Sequence, residues 1–247
     1  MNLVFVGFLF ESFIIILATL VLILILKRYL IKKHRLTLYL FLIFLNLVLS
    51  VVFSWLSKIL VLTTNIDYVY NEPNPAAQPN VPFPWLVTRI VDFRITVFFV
   101  AVAILISYIL KVKVFGTDYV TSHKIIVYSF GAYTGIFCLF VYQRGNTLLD
   151  AINFLNVLVY MFMIYVPFMI RSIEAYKSVE EKTYRIAFFS LAIMSLSFIL
   201  VFVFTLIDRI TIIFGTEGFT PFYFAAWTFV IIGFLFAYLG YIRPKSA

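Results

Sequence analysis

Apolar stretches about twenty residues long or longer, separated by short polar segments, set the pattern of this chain. A helix needs roughly 20 apolar residues to cross about 30 Å of hydrocarbon. The pattern therefore predicts membrane-spanning helices near 3–26, 36–60, 85–110, 124–142, 150–171, 185–208 and 221–242. Nothing is left over for a soluble domain. The expected fold class is all-α, an integral membrane seven-helix bundle forming one domain over 1–247. The longest interruption, "NEPNPAAQPNVPFP", has five prolines in fourteen residues. Proline lacks the amide donor that a helix or central strand requires, so this stretch reads as an extended loop outside the membrane.

Basic residues fall on one side of these spans. Lys27, Arg28, Lys32, Lys33, Arg35, Lys111, Lys113, Lys124, Arg171, Lys177, Lys182, Arg185, Arg243 and Lys245 share a side, against Lys58, Arg89, Arg94, Arg144 and Arg209 on the other. The positive-inside rule then places the N-terminus outside and the C-terminus in the cytoplasm, with the chain a multi-pass protein of the cell membrane. The same asymmetry accounts for the net charge of +8. A basic inner face meets anionic lipid headgroups, so the expected contact is the bilayer and not nucleic acid.

Composition agrees, with 64% hydrophobic and 12% charged residues and a mean hydropathy of +1.08; soluble domains are about a quarter charged. No basic residue precedes the first apolar run and "KRYLIKKHR" follows it, the reverse of a signal peptide's charge order, so that run is expected to be a mature helix. The single cysteine, Cys138, has no disulfide or thiolate partner in the sequence. Aligning Arg35 with Arg185 matches "RLTLYLFLIFLNLVLSVVFSWLSKI" to "RIAFFSLAIMSLSFILVFVFTLIDR" and sets Lys58 opposite Asp208. This suggests a 3+1+3 repeat, although any two apolar helices that follow a basic loop would look alike.

One carboxylate, Glu11 in "FLFESFIIIL", lies inside the first apolar run. On a helical wheel it shares a face with Gly7 and Ala18, and small-residue faces pack against other helices in membranes, so Glu11 is expected to look inward. At a rise of 1.5 Å per residue, Glu11 and Arg94 sit at nearly the same level, roughly 24 and 26 Å from the basic edge. Arg89 and Asp92 are one turn apart and could satisfy each other, which leaves Arg94 in need of a partner. The expectation is a buried Glu11–Arg94 ion pair ringed by Ser50, Ser54, Asn153, Asn156, Thr205 and Trp227, because an intramembrane charge is by default a functional candidate. The competing reading is that these charges are structural, with Glu11 reaching interfacial water and Lys58 and Arg209 snorkelling to the interface.

Other chemistry finds no foothold. Helix seven has no lysine for a retinal Schiff base, and His34 and His123, the only histidines, fall at the basic edge. No GxSxG or HExxH motif occurs. Neither an enzyme, a cofactor nor a metal site is expected. The many aromatics read as packing and interfacial anchors. Tyr160, Tyr165 and Pro167 could mark a bend or a pocket wall.

The run "FYFAAWTFVIIGFLFAYLGYIRP", with its Gly-aromatic-x-x-Pro exit, resembles the seven-helix N-terminal sensory regions of prokaryotic histidine kinases. The resemblance implies an input module whose last helix drives a cytoplasmic output domain. Because the sequence ends at Ala247, just past that proline, the output is expected to come from a separate cytoplasmic signalling partner. Three functions stay open: a receptor-like sensory module, a small-solute transporter or channel, and a scaffold subunit among other membrane subunits. Helices two and six lack the paired Gly or Pro breaks that transporter repeats use, which counts against the second.

Overall fold

A computed structural model describes residues 2–73, 82–115 and 121–242. Most of the proline-rich loop, and Arg243, Pro244 and Lys245 of the expected exit, lie outside them. The helices are α1 (Leu3–Lys32), α2 (Arg35–Thr63), α3 (Pro84–Val91), α4 (Arg94–Phe115), α5 (Thr121–Phe140), α6 (Thr147–Ser178), α7 (Lys182–Ile213) and α8 (Pro221–Ala237), the last continuing as a π-helical turn over Tyr238–Ile242. Seven of them are long and apolar enough to span a membrane; the short α3 is not. The chain is an all-α, multi-pass seven-helix bundle.

The expected third span differs from the structure. In place of one helix over 85–110 the chain breaks between α3 and α4, where Phe93 takes a left-handed φ of 60°. A non-glycine residue there is disfavoured by contact between its Cβ and the backbone. The break turns the Asp92 carboxylate and the first residue of α4, Arg94, toward different partners.

Each helix pairs a buried stripe with an apolar outer face. On α1 the buried residues are Gly7, Glu11, Ile14, Ala18, Val21 and Ile25, at the three- and four-residue spacing of one helix face. Leu9, Phe13, Ile16, Leu20 and Ile23 point outward. An outer surface this apolar is suited to lipid and not to water. Asn2 caps the first turn through its side chain, which accepts from the Val4 amide at 2.9 Å, and Lys33 closes the last turn in a left-handed conformation.

Contacts group the spans as α1–α2–α4 and α6–α7–α8, with α5 against α4 and α6, and α1 meeting α8 to close the ring. The N-terminus of α1 and the C-termini of α2, α5 and α7 therefore lie at one end, termed here the N-terminal end. There the segment after α2 folds back over the bundle. Ile66 is buried, the Asn71 side chain donates to the Ile212 carbonyl at 2.7 Å, and the Glu72 amide donates to the Gly145 carbonyl at 3.1 Å. Gly145, at φ 76°, is required in this cover, because a Cβ would collide with the Glu72 carbonyl.

Candidate functional site

Four side chains from three helices meet under that cover. Glu11 Oε1 accepts from Lys58 Nζ at 2.8 Å, from Ser54 Oγ at 2.8 Å and from the Tyr223 hydroxyl at 2.6 Å. Glu11 and Lys58 are both fully inaccessible. The helical spacing explains Lys58, which lies one turn beyond Ser54 on the same face of α2. Its ammonium also faces the rings of Phe93 at 4.9 Å and Phe219 at 5.7 Å, an aromatic surround that offsets lost hydration. Gly7 leaves room for the lysine stem: a Cβ would stand 3.1 Å from Lys58 Cε.

Arg94 has a different acid. Its Nη2 donates to Asp150 Oδ1 at 2.6 Å and its Nη1 to the Val141 carbonyl at 3.2 Å. The expected Glu11–Arg94 pair is thus replaced by two pairs, Glu11–Lys58 and Arg94–Asp150. Arg89 and Asp92 do not satisfy each other either. Arg89 donates to the carbonyls of Leu139 at 2.7 Å and Trp85 at 3.0 Å, and Asp92 accepts from the Tyr142 hydroxyl at 2.7 Å. Burial, and next the nearby Asp150 carboxylate, push the Asp92 carboxyl up to about 6, while Tyr142, Arg144 and Arg94 pull the other way.

Nor are Lys58 and Arg209 snorkellers. Arg209 is 6% exposed and packs among the rings of Tyr70, Phe93 and Phe154 at 5.5–5.6 Å. Its neighbour Asp208 uses Oδ1 to receive the Thr220 amide at 3.2 Å and hydroxyl at 2.6 Å, which sets its carboxylate at the N-terminus of α8. Asp208 Oδ2 is left 3.7 Å from Arg209 Nε, beyond hydrogen-bonding range.

Next to these groups is an internal cavity of about 100 Å³ between α2, α4, α6, α7 and α8. Arg209, Ser54, Tyr223, Thr205 and Trp227 line one part of it, and Leu47, Val100, Met161, Phe198, Val230 and Phe234 another. Ser54 and Tyr223 therefore belong both to the cavity wall and to the shell of Glu11.

Of the other residues expected to ring the site, Ser50 lines the cavity but turns its hydroxyl to the Leu47 carbonyl at 2.7 Å. Asn153 is buried and hydrogen-bonds to nothing through either side-chain atom. Asn156 donates to the Tyr133 hydroxyl at 3.5 Å, away from Glu11. Tyr165 meets Ser107 at 3.0 Å, and α6 runs through Pro167 as one helix.

Lys58, Tyr223, Asp150, Asp208 and Arg209 are residues of the site that the sequence does not place there. The signal available for Lys58 was its one-turn spacing from Ser54. For Asp150 it was a place in the first turn of α6, where a carboxylate complements the helix dipole. Among the described residues no three His, Cys, Asp or Glu side chains gather as they would around a metal ion. No family model, no curated protein and no solved structure matches the chain.

Proposed function

We propose that this chain is a receptor-like sensory module, non-catalytic itself, in which a small molecule held in the internal cavity alters the packing of α2, α7 and α8 and passes that change to a separate partner. The observation that supports this most is the double use of Ser54 and Tyr223. A molecule in the cavity competes for the same hydroxyls that hold Glu11 Oε1, and Glu11 holds α1 to α2 and α8. Occupancy and helix packing are thereby linked through one carboxylate.

The test is binding with a conformational readout. In lipid nanodiscs, a small apolar probe such as hexanol should raise the unfolding temperature and shift Trp227 fluorescence. Ala226→Phe, which fills the cavity from α8, should abolish both effects. Equal responses in the two proteins would overturn the reading.

A second reading, passage of a small solute, is favoured by one observation. Phe198 borders the main cavity and also a smaller one, about 20 Å³, lined by Ser107, Tyr165 and Tyr241 toward the opposite end. Its ring meets Phe234 at 6.3 Å and Tyr165 at 6.0 Å, so one aromatic layer divides the two spaces. Solute uptake into proteoliposomes that rises in Phe198→Ala would favour passage over sensing.

A further inference from the structure

The charges at the N-terminal end include four bases, Lys58, Arg89, Arg94 and Arg209, and four acids, Glu11, Asp92, Asp150 and Asp208, yet their bonding is uneven. Glu11 is engaged by Lys58, Asp150 by Arg94 and Asp92 by Tyr142. Asp208 gives its better-placed oxygen to Thr220. Arg209 packs among aromatic faces, meets the Tyr70 hydroxyl and stands 3.7 Å from Asp208, and its Nε, like that of Arg94, has no hydrogen-bond acceptor among the described residues. It is also the only one of the four bases that lines the cavity. A guanidinium carries five donors in a planar fork matched to a carboxylate, and a buried one with a free donor on a cavity wall is a strong site for an anion.

The rest of the wall limits what that anion can be. Along α7 the lining runs from Arg209 to Phe198, eleven positions or about 16 Å of helix. It passes from hydroxyl-bearing Thr205, Tyr223 and Ser54 to the purely apolar Val230, Phe234 and Phe198. One end is polar and the other dry. A volume of about 100 Å³ is of the order of the apolar cavities that take up benzene and is too small for the two chains of a membrane lipid.

Resting on the sensory reading above, we propose that the cavity binds a small monocarboxylate with a short alkyl or aryl tail, its carboxylate on Arg209 and its tail toward Phe198 and Phe234. The carboxylate replaces the weak contact to Asp208, and the tail displaces nothing polar. Ser54 and Tyr223 lie beside the bound headgroup, where they can turn from Glu11 toward it.

The experiment is calorimetric titration of the nanodisc-embedded chain with hexanoate and, in parallel, hexanol, empty nanodiscs being subtracted. Hexanoate should bind at least about tenfold more tightly than hexanol to the wild type. Arg209→Gln should remove that preference, with hexanol still bound. Retained hexanol binding shows that the arginine variant is folded, and Ala226→Phe, which keeps Arg209 and fills the cavity, should block both ligands. Hexanol binding without a preference for hexanoate would overturn the carboxylate assignment while leaving the cavity reading intact. Hexanoate binding that leaves Trp227 fluorescence unmoved would support the site and overturn the sensory reading. Binding of neither ligand to the wild type would overturn the assignment.

Discussion

At the N-terminal end Glu11 and Lys58 form a 2.8 Å pair with no accessible surface, whereas at the opposite end Arg171 and Glu174, one turn apart on α6, form a 3.0 Å pair with side chains 53% and 57% exposed. Around the second pair Lys177, Lys182 and Arg185 are exposed as well. Similar distances at the two ends therefore stand for different physics. An exposed pair exchanges one set of hydrated contacts for another and is screened by salt. A buried pair has given up its hydration altogether, so each partner depends on the other. The N-terminal end is where a change in one side chain is felt by several helices.

The sharpest way to break this contrast is Glu11→Ala. It leaves Lys58 buried among Phe93, Phe219 and Tyr223 with no counter-charge, and should cost about 3–5 kcal/mol, read as a drop in the thermal unfolding midpoint in detergent. The double variant Glu11→Ala with Lys58→Met should recover most of that loss, because it removes the stranded charge along with its partner. A double variant no better than the single one would mean that Ser54 and Tyr223, not the ion pair, carry the effect.

A second prediction concerns the cover over this end. Gly145 combines a positive φ with a carbonyl of Glu72 where a Cβ would sit. Gly145→Ala should therefore cost about 1–3 kcal/mol, and should raise the proteolytic sensitivity of the segment between Ile66 and Glu72 while leaving the opposite end unaffected.

The two ends were also unequally legible in the sequence. The number and approximate placement of the spans followed from apolar run length alone, which needs no knowledge of partners. The wheel position of Glu11 beside Gly7 and Ala18 correctly turned it inward, since those residues share the buried face of α1. Depth fixes a level in the membrane and not a neighbour: Arg94 opens α4 beside Asp150 in the first turn of α6, while Glu11 is met by Lys58 from α2. Lys58 looked like a snorkeller because it lies near the end of an apolar run. What buries it is Phe219, from a turn with no periodic signal, and Phe93, from the helix break. Run length and periodicity report on helices, and this site is closed mainly by what lies between them.

A third test uses pH to separate the ends. The Asp92 carboxyl lies well above the ordinary 3.8, near 6, chiefly through burial. A raised acid pKa means that the folded state holds the proton more tightly than the unfolded one. This contribution to stability is fully present below about 3.8 and is lost as pH rises through about 6. Asp92→Asn should remove that slope, so the variant gains on the wild type between pH 4.5 and 7.5 when unfolding midpoints are compared. Parallel curves over that range would show that Asp92 keeps an ordinary pKa despite its surroundings.

The smallest effect is expected at the opposite end, and its smallness is the point. Arg171→Ala removes one partner of an ion pair no longer than 3.0 Å, yet both side chains remain in contact with water and the i,i+3 geometry holds two flexible chains in one arrangement. Loss of Coulomb attraction is then nearly offset by recovered side-chain freedom, and the unfolding midpoint should move by no more than about 0.5 kcal/mol equivalent. Raising salt should shrink even that difference, while the Glu11→Ala deficit should persist, because the screening ions cannot enter the space around Lys58. If the two variants responded alike to salt, the pair at Glu11 would have to be hydrated, and the link between the cavity and helix packing would lose its basis.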